Sequence, residues 1–256
     1  MLSIIVRTLG NIKMLKRALQ SINVSTYANI EVIVVYQGKN NTIFTDLKKL
    51  EKVFKRIQIK FISNSTDKDE RSKNLNLGMQ EISGTYLAFL DDDDYVAPNH
   101  YNNLISALKK SNSELAYNIV NIVGKDNNLK NTPFKGWYLD KLTFIKENFI
   151  TINSFVLNVN LIDKSFLKFN EKLVLAEDYV FLLPIFLKYK SVYVNEKTSF
   201  YYIENDQSNS FETSDELGIR AAQFKIMKDF RKTLKIPLIE KINLKLNRIL
   251  GKTIRA

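Results

Sequence analysis

Cysteine is absent from the 256 residues, and histidine occurs once, at His100. The first absence removes disulfides, thiolate metal ligands and thiol nucleophiles together, and fits a cytoplasmic protein. The second leaves no basis for a Ser-His-Asp triad, a histidine-rich zinc site or a two-histidine metalloprotease helix. A metal held by this chain must take oxygen ligands, which points to Mg²⁺, Mn²⁺ or Ca²⁺. His100 itself is expected to pack on or cap a helix. No apolar run approaches the ~18 residues that a bilayer span needs. Met1-Leu2-Ser3-Ile4-Ile5-Val6 has no basic flank and no small-residue cleavage site, so it reads as a buried strand rather than a signal peptide. Gly10 stands alone near the N-terminus, which argues against a glycine-rich phosphate loop.

What is present is an ordinary apolar content of 45%, enough for one sizeable α/β domain with a small C-terminal addition. The net charge of +11 calls for an anionic partner. The positive residues are not gathered into an aromatic-studded stripe, and no zinc-finger or RNP pattern occurs. A polyphosphorylated small molecule or an anionic membrane surface is therefore expected, and no nucleic acid.

The first half alternates short β-branched and aromatic runs with helical patterns. Strands are expected at Ser3–Val6, Ile30–Tyr36, Ile57–Ile62 and Thr85–Leu90. Met14, Leu15, Ala18, Leu19 and Ile22 share one helix face, as do Leu75, Met79 and Ile82. A further helix over Asn99–Ser111 follows Pro98, with Tyr101, Leu104, Ile105 and Leu108 on a stripe. Alternation of this kind implies a mostly parallel sheet covered by helices on both faces. Beyond Gly124 the pattern is mixed: strands are expected at Phe155–Ile162 and Ser191–Ile203, and helices at Leu139–Asn148 and Tyr179–Tyr189. A polar stretch, Asn205–Ser214, reads as a loop. Leu238–Leu250 reads as a basic amphipathic helix, with Leu238, Ile242, Leu246 and Ile249 on one face and Lys241, Lys245, Arg248 and Lys252 on another. Such a helix either lies on an anionic membrane surface or docks on the domain by its apolar face.

Ligands of an open parallel sheet bind outside the carboxyl ends of its strands. Arg7-Thr8, Gln37-Gly38, Ser63-Asn64 and Asp91-Asp92-Asp93-Asp94 all fall at those ends, which makes this edge the candidate site. Four adjacent carboxylates raise one another's pKa unless a cation compensates them. In an extended segment Asp91 and Asp93 point the same way, a hard oxygen pair suited to Mg²⁺ or Mn²⁺. An acidic turn capping the helix after Pro98 needs one carboxylate, for which Asp94 suffices, so the other three favour the metal.

At this point the chain resembles the family 2 glycosyltransferases, inverting enzymes of the GT-A fold, over roughly residues 1–210. The segments that carry the resemblance are Ser3 to Thr8 with the helix after it, Thr26-Tyr27 with the strand after it, Arg71-Ser72-Lys73-Asn74-Leu75-Asn76-Leu77-Gly78, Gly84 to Asp94 with its Asp-x-Asp motif, and Ala176-Glu177-Asp178-Tyr179. The resemblance implies a Rossmann-like sheet with a nucleotide-binding half (1–124), an acceptor half (125–210) and a helical basic extension (211–256). It implies that Asp91 and Asp92 touch the donor's ribose and that Asp93 ligates Mn²⁺ or Mg²⁺ at the diphosphate. Thr8 then lies in the base pocket, Arg71 faces the nucleotide, and Asp178 is the general base. Glu177 either orients the acceptor or holds a helix N-terminus. Where the family carries an aspartate pair after strand two, this chain has Tyr36-Gln37-Gly38. Gln37 offers both a donor and an acceptor to a uracil edge, and Tyr36 offers a ring to stack on. Trp137 and Tyr138 read as packing residues or a sugar-stacking wall, and Tyr201 to Ser210 as an exposed loop or a flap over the donor. The expected partners are a nucleotide-sugar donor, with UDP first, and a saccharide or lipid-linked acceptor in cell-surface polysaccharide synthesis. The expected location is cytoplasmic, peripheral on the inner face of the plasma membrane. The alternatives are a degenerate binding or partner subunit and a Mg²⁺-dependent phosphatase. The phosphatase motif wants a small residue where Tyr95 stands.

Overall fold

The computed structural model describes residues 1–124, 128–203 and 219–255. Strand β1 (Leu2–Thr8) forms where β-branched residues alternate across a sheet buried on both sides. Leu2, Ile4 and Val6 pack into one layer of core and Ile5 into the other. Strands β2 (Ile30–Gln37) and β4 (Tyr86–Asp91) repeat that pattern in parallel with β1, and β3 (Gln58–Asn64), also parallel, forms the more exposed edge beside β2. All four fall within a residue or two of the short apolar runs expected as strands.

The crossovers are helices with identifiable starts. Asn11 caps α1 (Ile12–Asn23) by accepting from the Met14 amide at 3.2 Å. Asn40 does the same for α2 (Asn41–Lys48), an element the sequence patterns did not reveal. Helix α3 (Arg71–Met79) sits close on β1 because Gly78 has no side chain: a Cβ there would lie 2.6 Å from Ile5 Cγ2. Strand β5 (Tyr95–Val96) and α4 (His100–Ser111) follow the acidic run.

The second half completes the sheet non-locally. Strands β6 (Leu115–Tyr117), β9 (Phe155–Asn158) and β10 (Ser191–Tyr193) extend it to the order β10-β6-β9-β4-β1-β2-β3, with β9 antiparallel to both neighbours. Strands β7 (Asn121–Val123), β8 (Leu129–Asn131) and β11 (Ser199–Tyr202) join β5 in a small second sheet. The run expected as one strand over Ser191–Ile203 therefore divides between two sheets. Buried Asn118 holds the crossing, donating to Glu196 O at 2.9 Å and Thr198 Oγ1 at 2.8 Å. His100 packs beneath it with Nδ1 2.8 Å from Thr198 Oγ1, and burial pushes its pKa down to about 3. It is a neutral packing residue.

The helix expected over Leu139–Asn148 contracts to α5 (Lys141–Phe144). The carbonyls of Phe144 and Ile145 lie 2.9 and 2.7 Å from the Tyr179 hydroxyl, which draws them out of any continuing helix. Tyr179 belongs to α6 (Glu177–Lys188), whose aromatic side of the core includes Phe169 and Phe181 stacked at 4.1 Å. Two helices end the chain. Helix α7 (Ile219–Thr233) buries Met227 in that same core, and α8 (Leu238–Ile249) follows after Pro237. Docking of α8 by its apolar face is not what the structure shows: Leu238 is 74% exposed and Ile249 80%, whereas Arg248 and Glu240 make the contacts. No helix among the described residues is long and apolar enough to cross a membrane. The polar loop expected at Asn205–Ser214, and the flap beyond Ile203, lie outside the described residues.

Candidate functional site

The polar ends of β1, β2 and β4 meet at one edge because their registers align. Arg7 stands opposite Asp91, and Thr8 opposite Tyr36. Arg7 grips Asp91 with both prongs of its guanidinium, Nε to Oδ1 at 2.6 Å and Nη2 to Oδ2 at 2.8 Å. Its third nitrogen, Nη1, donates to Glu177 Oε1 at 2.5 Å. One arginine thus ties the acidic run to the N-terminus of α6. Thr8 Oγ1 donates to Asp92 Oδ2 at 2.5 Å and accepts from the Gly10 amide at 3.0 Å, so β1 also fixes the second aspartate.

The four aspartates take four different environments. Asp91 to Asp94 close a tight turn, the Asp94 amide donating to Asp91 O at 3.1 Å. Asp94 is fully buried and structural: its carboxylate accepts from Asn153 Nδ2 at 2.8 Å and from the Tyr202 amide at 3.0 Å. Arg17 donates to the Asp93 carbonyl and stacks over the Tyr202 ring, bracing the turn from behind. The Asp93 carboxylate accepts from no other side chain among the described residues. Burial, together with Asp91 and Asp92, raises its pKa to about 7. Burial likewise raises Asp92 to about 6, against the Thr8 hydrogen bond.

Oxygens of Asp91, Asp93 and Asp94 converge within 4.8 Å of one another, a hard-donor cluster of the kind that suits Mg²⁺ or Mn²⁺. Asp94 already spends both oxygens on Asn153 and Tyr202, and Asp91 both on Arg7, so Asp93 is the member of the cluster whose carboxylate is left to a cation among the described residues. Carboxylates crowded until they resist ionisation are those for which a divalent charge gives the largest relief.

Two clefts flank the Arg7–Asp91 pair. The first, of about 720 Å³, is lined by Thr8, Gln37, Arg71, Asp91, Asp92 and Asp93 among others, which is the size class of a small-molecule site. Thr8, Gln37, Arg71, Asp91 and Asp92, all expected at the nucleotide, line it, whereas Tyr36 does not. Gln37 is nevertheless partly committed, because its Oε1 accepts from the Glu70 amide at 3.1 Å and Asn74 Nδ2 at 2.7 Å. Only the amide NH₂ remains to offer a ligand. Tyr36, by the alternation of β2, points the other way into the core, stacked on Phe44 at 5.8 Å; it offers no ring to the cleft. Arg71 lines both clefts and is held by Asp69, Nη2 to Oδ2 at 2.6 Å.

The second cleft, of about 520 Å³, is walled by Glu177, Asp178, Asn148, Phe224, Met227 and Arg231, and shares Arg7, Arg71, Asp91 and Tyr201 with the first. Ala176 enters α6 in the left-handed region, at φ 52°, an unfavoured conformation for a residue with a side chain. That kink aims the Glu-Asp pair at the clefts. Glu177 is spent on Arg7. Asp178 is half-buried, with Oδ1 accepting from the Tyr179 amide at 2.7 Å and Oδ2 3.4 Å from Asn148 Nδ2. Burial first, then the adjacent Glu177, raises its pKa to about 7, while Arg7 opposes the rise. Trp137 packs edge-on against Phe134 and lines neither cleft.

Residues 3–162 match the sequence family described as glycosyl transferase family 2. The chain belongs to that family. Among relatives, a poly(ribitol-phosphate) β-N-acetylglucosaminyltransferase, TarP of Staphylococcus aureus, is 25% identical over 85% of this chain and 65% of its own length. The chain spans between 44% and 65% of the length of three curated relatives that it matches. S. aureus TarS 1–349, solved with UDP-GlcNAc, superposes with a TM-score of 0.74 at 16% identity, covering 94% of this chain and 69% of that one. A Pyrobaculum calidifontis mannosyltransferase solved with GDP-Man and Mn²⁺ gives 0.66 at 14% identity, over 92% of this chain and 65% of that one. The architecture of this family member is the GT-A fold, a mixed, mostly parallel sheet flanked by helices.

Of the residues singled out in the sequence, Thr8, Gln37, Arg71 and Asp91 to Asp93 gather in the first cleft, and Glu177 and Asp178 in the second. Arg7 was visible only as a polar strand end, with no signal of its double pairing. The α7 wall, Phe224, Met227 and Arg231, had no local signature at all.

Proposed function

We propose that the protein is an inverting, metal-assisted glycosyltransferase with Asp178 as general base. The supporting observation is the Arg7 bridge, which joins Asp91 of the acidic run to the Glu177-Asp178 corner so that both carboxylate groups border one continuous cleft. The nucleotide-sugar donor, a UDP-sugar first, occupies the larger cleft. Asp91 and Asp92 face its ribose, Thr8 and the Gln37 amide its base, and Arg71 its diphosphate. Asp93 holds Mn²⁺ or Mg²⁺, a charge that offsets the departing diphosphate when bound. The acceptor hydroxyl enters the smaller cleft and loses its proton to Asp178 as its oxygen bonds the anomeric carbon. The bond to the diphosphate breaks on the opposite face, and the nucleoside diphosphate leaves with that electron pair. A carboxylate whose pKa lies near 7 is a stronger base than an ordinary aspartate and still ionised in part at neutral pH. Glu177, neutralised by Arg7, orients rather than accepts.

In this reading residues 1–124 bind the nucleotide, 125–210 the acceptor, and the extension from 211 closes the acceptor wall through α7. The acceptor is a saccharide or lipid-linked saccharide of a cell-surface polysaccharide, reached from the cytoplasmic side at the inner face of the plasma membrane. The test is release of nucleoside diphosphate from a panel of UDP-, GDP- and dTDP-sugars with and without Mn²⁺. Metal-dependent release from at least one donor is expected. No release from any donor, together with no Mn²⁺-dependent thermal shift, would instead indicate a transferase-like binding subunit.

A further inference from the structure

Helix α8 sits on the domain by the side that an amphipathic helix normally turns to solvent. Arg248 reaches Asp140 twice, Nε to Oδ2 at 2.7 Å and Nη2 to Oδ1 at 2.5 Å, and stacks over the Tyr138 ring at 4.5 Å. Glu240 accepts from Lys141 at 2.8 Å. Leu238, Ile239, Ile242, Leu246, Ile249 and Leu250 lie instead on an outward arc of about 120° at a helical 100° per residue. Each is roughly half exposed or more, from 48% at Ile242 and Leu246 to 80% at Ile249. Lys241 and Lys245, both exposed, run along one margin of that arc, and exposed Lys252 follows just past the end of the helix.

Charge decides among coverings of this face. Residues 219–256 contain eleven Lys and Arg against two Asp and Glu, a surplus of nine out of the chain's net +11. A second copy meeting it through a two-fold interface would bring the same lysine margin against itself. An anionic bilayer offers the opposite charge and an apolar interior of the depth that such a helix face enters. We propose that α8 is an interfacial membrane anchor, seated apolar face down on anionic lipid with Lys241, Lys245 and Lys252 at the headgroups. Its place in the chain gives it a purpose. Only residues 234–237 separate α8 from α7, whose Phe224, Met227 and Arg231 wall the smaller cleft. The anchor therefore tethers the acceptor side of the site at the lipid surface. The proposal builds on the peripheral location given above but not on the transfer chemistry, so its failure leaves the transferase reading standing.

The test is flotation of the full chain with phosphatidylcholine vesicles carrying about 30% phosphatidylglycerol, against phosphatidylcholine alone. Flotation with the anionic vesicles, falling at least about tenfold on neutral vesicles or in high salt, is expected. The double variant Ile242→Glu/Ile249→Glu should stay behind with its thermal midpoint unchanged. Should that variant fail to fold, Lys241→Glu/Lys245→Glu/Lys252→Glu leaves the apolar arc intact and should lose flotation at the same salt. Absence of flotation by the parent chain overturns the proposal. So does a parent that is dimeric by light scattering, does not float, and becomes monomeric when Ile242 and Ile249 are changed, since the face would then belong to a second copy.

Discussion

The two clefts that meet at Arg7 are built in opposite ways. Apart from Tyr201 of β11, the larger one is assembled from the ends of β1, β2 and β4 and from the segment that leads from β3 into α3. The smaller one draws on the loop before β9, the kinked start of α6 and a helix from the extension. Local order in the chain is enough to collect the first set, because parallel strands all terminate at one edge. Nothing local brings the second set together; only the packing of α6 and α7 on the aromatic core does. In the proposed function the larger cleft is the place of binding and charge compensation and the smaller one that of proton transfer, with Arg7 joining the two.

Substitutions that should separate them come first. Asp178→Asn removes the proposed base while leaving a similar shape, and turnover should fall about 10²–10⁴-fold with donor affinity unchanged, measured by steady-state kinetics and donor titration. A matching loss of donor binding would mean the clefts do not divide the work. Asp93→Asn should lower Mn²⁺-dependent turnover about a hundredfold or more and abolish the thermal shift produced by Mn²⁺. Full metal-dependent activity in this variant would break the assignment of the acidic run.

Arg7→Met should injure both clefts together. It leaves Asp91 and Glu177 facing each other without their shared cation, and about 3 kcal/mol of stability should be lost in denaturant unfolding. Both donor affinity and turnover should fall. Damage to one alone would make Arg7 a member of that cleft and not the joint. pH gives a finer probe. Asp178 must be ionised to accept a proton, so on the acid side kcat should fall tenfold per unit below a midpoint near 7. Arg7 holds that pKa down, and its loss should carry the acid limb upward. Asp92 and Asp93 are also raised above their unfolded values, to about 6 and about 7, so the metal-free fold loses stability as pH climbs from about 4, the unfolded carboxylate value, to those midpoints. Stabilisation by Mn²⁺ should accordingly grow over that interval. The smallest effect is expected for Tyr36→Phe. Its hydroxyl lies 3.5 Å from Asn40 O and its ring is core, so a change within about 0.5 kcal/mol and an unaltered donor KM should result. A raised KM would return Tyr36 to the nucleotide.

Much of this molecule could be read in advance where the physics is local. The short β-branched and aromatic runs of β1 to β4 and the one-face spacing of α1 and α4 dictate those elements, because strands of a covered sheet and amphipathic helices need those patterns. The Asp91–Asp94 run at a strand end sufficed to single out the edge where the larger cleft opens, since so many adjacent carboxylates call for compensation. Other matters were open until the chain was folded. Whether Tyr36 or Gln37 faced the cleft hung on the phase of β2. The division of Ser191–Ile203 between two sheets depended on Asn118, some eighty residues away. Which of four aspartates was spent on structure was decided by Asn153 and Tyr202, which claim Asp94, while the Asp93 carboxylate accepts from no other side chain among the described residues. The amphipathic pattern of α8 was plain from Leu238 onward, but a pattern states only that a helix has two faces. Which face turned outward was settled by Asp140 and Tyr138, whose hold on Arg248 is a contact across more than a hundred residues that no local spacing encodes.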